Sequence, residues 1–176
     1  MPQLRDNRWR YKEALLSIIV PFEPDDLSDW FWDILQRANK EPSKLKDILQ
    51  NLSNDELQRF ALEFMDAASN LRQEPYTNYY QASEDSTADM SYWVVSQGKE
   101  FYTTVRHHPE AVLAYEAAEI ANPSRLQSLE FVAEGILEDR LGEWPDVMED
   151  YGSFLRSGYA RIGDYWEAQR AYKEQS

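Results

Sequence analysis

The chain has no cysteine. Its absence excludes disulfides, thiolate metal sites and cysteine nucleophiles together, and it suits a reducing cytoplasm. Glycine is also scarce, with 6 in 176 residues, which argues against a sheet-rich fold of many tight turns. Long hydrophobic runs are missing too. The longest, Leu15 to Phe22, is interrupted by Ser17 and Pro21 and is far too short to cross a bilayer. The polar start, Met1-Pro2-Gln3-Leu4-Arg5-Asp6, carries no visible signal peptide. The expectation is a cytoplasmic protein.

What the chain has in quantity is negative charge and aromatic rings. Its 32 acidic residues face 18 basic ones, a formal net charge of −14. That balance speaks against nucleic acid and anionic membranes as partners, since both would be repelled, and it permits a basic protein partner. Aromatics make up 14% of residues, with 6 Trp and 11 Tyr. A disordered acidic chain is poor in such residues, so the charge sits on a folded body. A chain of this length forms one domain and buries roughly 70% of its unfolded surface.

Helical spacing dominates the apolar pattern. Ser28 is placed to cap a helix carrying Trp30, Phe31, Ile34, Leu35 and Ala38, all at three- and four-residue steps. Pro42-Ser43 opens a short helix with Leu45, Ile48, Leu49 and Leu52 on one side. Ser53 and Glu56 have the spacing of a capping box. The helix it begins repeats Leu57, Phe60, Ala61, Phe64, Ala68 and Leu71 until Pro75 stops it. Another helix carries Met90, Trp93, Val94 and Gln97, and Gly98 supplies a left-handed residue or tight bend at its end. Phe101, Tyr102 and Val105 continue to His107-His108, and Pro109 starts a helix through Tyr115 and Ile120. A last clear helix buries Leu126, Leu129, Ala133, Ile136 and Leu137 and ends at Gly142 or Pro145.

The predicted fold is all-α, a single compact domain of about six to eight helices with short peripheral helices at both ends. It divides into an N-terminal extension over 1–26, a helical core over 27–145 and an aromatic-rich C-terminal extension over 146–176 packed on the core. The first 22 residues combine a basic cluster (Arg5, Arg8, Arg10, Lys12) with the apolar run Leu15–Phe22. Helix is preferred there, although Ile18-Ile19-Val20 also suits a short strand.

Four segments carry a resemblance: Phe31-Trp32-Asp33-Ile34-Leu35 with Ala38; Leu52-Ser53-Asn54-Asp55-Glu56-Leu57 with Phe60; Ser83-Glu84-Asp85 followed by Trp93-Val94-Val95-Ser96-Gln97-Gly98-Lys99 and Phe101; and Leu129-Glu130-Phe131-Val132-Ala133 leading to Leu141-Gly142. Over residues 30–145 the chain resembles a family of uncharacterised, largely bacterial proteins known as domain of unknown function 4240. The third segment is the most specific. There the family's pair of aspartates reads Glu84-Asp85, and Ser91 stands where an arginine is expected near the tryptophan. The resemblance implies a helical domain and no reaction.

Several groups are candidates for chemistry. Ser83, Glu84, Asp85, Ser86 and Asp89 offer oxygens to a hard cation, or else Asp85 or Ser86 caps the following helix. Asp85, Trp93, Gln97 and Gly98 outline a possible ligand pocket, against the alternative that Trp93 is core, Gly98 serves backbone geometry and Gln97 ties two helices. Ser96 as a nucleophile would need a base, and the only histidines are His107 and His108. Those two are adjacent, so on a helix they point about 100° apart and chelate poorly. Glu130, Glu134 and Glu138 form a stripe at four-residue steps. Residues 130–150 hold eight acidic side chains against one basic, Arg140, so the stripe is either a solvated face or a docking face for a basic protein. No catalytic residue, metal or cofactor is assigned. The expected function is a non-enzymatic interaction or regulatory domain with an unidentified protein partner, its oligomeric state open. The alternative is a small-ligand or enzymatic module around Ser83–Asp85 and Trp93–Gly98.

Overall fold

A computed structural model describes residues 27–81, 83–121 and 129–142. The expectations for the two terminal extensions, and for Leu126, lie outside the described residues. Among the described residues there are eight α-helices and one 3₁₀ turn, with no strand: α1 (Asp29–Ala38), α2 (Pro42–Leu49), α3 (Asn54–Ser69), α4 (Tyr76–Tyr79), α5 (Glu84–Ser96), α6 (Lys99–His107), the 3₁₀ turn Pro109–Val112, α7 (Leu113–Ala121) and α8 (Glu130–Leu141).

The helix starts follow the capping chemistry of the sequence. The Ser28 side chain accepts from the Phe31 amide at 3.2 Å. Ser53 and Glu56 complete the reciprocal box, with the Ser53 amide donating to Glu56 Oε2 at 2.8 Å. Each bond satisfies an amide that the first helical turn leaves open. The stop signals work differently from expectation at one end. α3 finishes at Ser69, before Pro75 is reached, and Pro75 instead precedes the single turn α4. Pro109 opens a tighter 3₁₀ turn before α7 begins.

Gly98 joins α5 to α6 at φ +96°, ψ 175°, a backbone region essentially reserved for glycine. Gly142 ends α8 at φ +78°, the left-handed residue that closes many helices.

α3 is the central element and packs against both α5 and α8; α2 covers α1 and α8. It is therefore buried nearly all round from Phe60 to Ala68, including Leu62, Glu63, Asp66 and Ala67. An aromatic cluster fills the junction with α1. Phe31 lies 4.9 Å from Trp32, 5.2 Å from Phe60 and 6.1 Å from Phe64 by ring centroid. Trp32 continues to Tyr102 of α6 at 5.3 Å. Rings at these separations add edge and offset attraction to their burial.

Candidate functional site

The acidic stripe sits on α8. A four-residue step advances about 40° around a helix of 3.6 residues per turn, so the stripe winds around the helix. Glu130 is buried, Glu134 is half-buried and Glu138 is exposed. Glu130 lies beside the Tyr92 phenol, which also meets Arg72; burial and then the Glu130 carboxylate push that phenol up, against Arg72. Burial, with Glu138 adding its charge, raises the Glu134 carboxyl to about 7.

Phe131 follows Glu130 and points outward, 62% exposed although it is a large apolar ring. One and two turns on, Gly135 and Glu138 share its face, and a Cβ at Gly135 would meet nothing within 4 Å. The face therefore reads Phe131, Gly135 and Glu138, with Glu134 at its inner border. The sequence pattern missed Phe131, because its position falls outside the apolar face of the helix. Arg140, the lone cation of this region, points the other way. Its guanidinium donates to the carbonyls of Gln50 and Leu52 at 2.8 and 2.9 Å and to Asn54 Oδ1 at 3.1 Å.

The second candidate group is divided. Asp85 is exposed in the first turn of α5, while Trp93, Gln97 and Gly98 gather at its other end. Eight residues of helix separate Asp85 from Trp93 by about 12 Å of rise. Ser83, not Asp85 or Ser86, caps α5, accepting from the Ser86 amide at 3.2 Å. A serine just outside the helix has the extended backbone a cap requires, whereas Asp85 and Ser86 are already helical. Gln97 Nε2 donates to the Trp93 carbonyl at 3.3 Å; this bond stays within one helix and ties no second one. Trp93 is half-buried and packs edge-on against Phe101 and Tyr115, each at 5.6 Å. Ser96 is buried, donating to the Tyr92 carbonyl at 2.8 Å and accepting from the Leu129 amide at 3.1 Å. Its hydroxyl thus fastens α5 to the start of α8. His107 and His108 are exposed, and His108 Nδ1 lies 3.6 Å from Glu110. Among the described residues no three acidic, histidine or cysteine side chains are grouped to hold a metal ion.

Buried charges form a further set that helical periodicity did not single out. Glu63 accepts from the Ser28 amide and hydroxyl at 2.7–3.0 Å and from Arg59 Nε at 2.8 Å. It locks the start of α1 onto α3, where a carboxylate also favours the positive end of a helix. Asp66 and Arg106 bear with opposite sign on the Tyr102 phenol, which burial chiefly pushes up and which donates to the Ala67 carbonyl at 3.1 Å. Arg106 also donates to the Tyr76 hydroxyl at 2.9 Å. Arg72 Nε reaches Ser91 Oγ at 3.0 Å and its guanidinium covers the Tyr92 ring at 4.4 Å. An arginine is thus present beside Ser91, supplied by the segment after α3.

A family model described as protein of unknown function (DUF4240) matches residues 28–139. The chain belongs to that family. The matched span runs from the cap of α1 almost to the end of α8, taking in both candidate groups. No curated protein and no solved structure matches the chain.

Proposed function

We propose that this DUF4240 member is a non-enzymatic protein-interaction or regulatory domain that takes a basic protein partner on the outer face of α8. The observation that carries the reading is Phe131, 62% exposed and sharing its face with Gly135 and Glu138. An exposed ring beside carboxylates offers a partner both an apolar anchor and a charge to match. Gly135 lets a partner's backbone approach the helix closely. The domain would act in the cytoplasm, a compartment suited by the lack of cysteine.

The test is recovery of partners from native cytosol by the tagged protein, at low and high salt, compared with variants. Phe131→Ala and Glu138→Lys are both at exposed positions, so they leave the fold intact. Glu130 is unsuitable for reversal, because a lysine in its buried site would unfold the helix seat. A stoichiometric partner lost on raising salt and lost again with either variant supports the reading. Equal recovery by the parent and both variants rejects it.

A ligand-binding reading of the Trp93 end has one observation in its favour, the half-buried rings of Trp93 and Tyr80 that both meet Tyr115, with Phe101 packed against Trp93. A thermal-shift screen with divalent metals, nucleotides and sugars separates the two, because a ligand confined to the native state raises its melting temperature.

A further inference from the structure

α7 carries an exposed apolar arc. Its inward anchor is Tyr115, 4% exposed, next to the fully buried Val112 of the preceding turn. On the far side Ile120 is 78% and Leu113 42% exposed, and Ala114, Ala117 and Ala121 are exposed as well. At 3.6 residues per turn these five positions form one continuous arc about 120° wide. Between the arc and Tyr115 lie Glu116 and Glu119, both exposed. The same two carboxylates, with Asp89 of α5, act on the Tyr80 phenol. The stretch Pro109–Ala121 contains no lysine or arginine.

We propose that this arc is a second docking face, for the apolar side of a cationic amphipathic helix from a partner protein. Ile120 and Leu113 provide the anchoring bulk, and the three alanines let the partner helix come close, as in other helix-on-helix recognition. Lysine or arginine along one edge of the partner would meet Glu116, which borders the arc beside Ile120, with Glu119 further round the helix. Charge also argues against a second copy as the occupant. A symmetric contact would set this acidic border against itself, on molecules that each carry a formal −14.

The probe is a roughly four-turn amphipathic peptide of leucine and lysine, with a leucine and glutamate peptide of the same pattern as control, titrated into the full chain. The lysine peptide binds and the glutamate peptide does not. Ile120→Asp, and separately Glu116→Lys with Glu119→Lys, each weaken the lysine peptide by about tenfold or more, while Phe131→Ala leaves it unchanged. Circular dichroism confirms that the variants, all at exposed positions, remain helical. Loss with Phe131→Ala but not with Ile120→Asp puts the peptide on α8, which overturns this inference and spares the proposed function. A dimeric mass abolished by Ile120→Asp also overturns it, since a second copy would then own the face.

Discussion

Arg140 is exposed, yet it holds three oxygens of the α2–α3 connection from the far end of α8. Its fork reaches backbone carbonyls that the end of α2 leaves open, a geometry that a lysine ammonium cannot reproduce. Arg140→Ala should therefore cost about 1–2 kcal/mol in denaturant unfolding, and Arg140→Lys should recover less than half of that. Glu134 makes a prediction of the opposite sign. Its carboxyl is raised from 4.5 to about 7, so between those values the native state holds a proton that the unfolded chain releases. Stability therefore falls as pH rises from about 4.5 to 7, and the loss persists above that window. Glu134→Gln removes the effect. At pH 8 the variant should be more stable than the parent by about 1 kcal/mol, a figure discounted for solvent around a half-buried group. At pH 4 the two should unfold alike, so melting curves at both pH values check the sign.

At the scale of the element, Gly98 isolates one cause. A Cβ there would touch nothing within 4 Å, yet φ is +96°. Gly98→Ala should cost about 1–3 kcal/mol through backbone strain alone, and compensating cavities nearby should not rescue it. That glycine was legible in the sequence, as were the Ser28 cap, the Ser53–Glu56 box and the buried positions Leu57, Phe60, Ala61, Phe64, Ala68 and Leu71. Caps and stripes are local chemistry, so the sequence shows them directly. The burial of Glu63 and Asp66 was not legible, because a periodic stripe reveals one packed face and is silent about a second. Leu62, apolar on the nominally polar side of α3, was the available signal that α3 lies between α5 and α8. The acidic stripe on α8 shows the same limit. Spacing placed Glu130, Glu134 and Glu138 together, while the drift of about 40° per step turned the first inward. Exposure of Phe131 depends on which elements pack against α8, and no local pattern carries that.

Over the whole molecule, a formal charge of −14 acts on stability and on binding with opposite salt dependence. Crowded carboxylates repel one another in the folded state more than in the expanded chain, so self-repulsion weakens the fold. Salt screens exposed charges over about 8 Å at physiological strength but reaches buried ones far less. The Glu63–Arg59 contact, whose carboxylate is only 2% exposed, should persist while the repulsion among surface acids is relieved. Raising sodium chloride from about 10 mM to 300 mM should then increase the melting temperature by a few degrees. The same change should weaken docking of a basic partner, because there the screened interaction is an attraction. Measured on one preparation, the two trends separate a charge that serves solubility from one that serves recognition. Higher stability with unchanged affinity would mean that the acidic surface contributes nothing to docking. Higher stability with falling affinity is the result expected if Glu138 and its neighbours steer a basic protein onto α8.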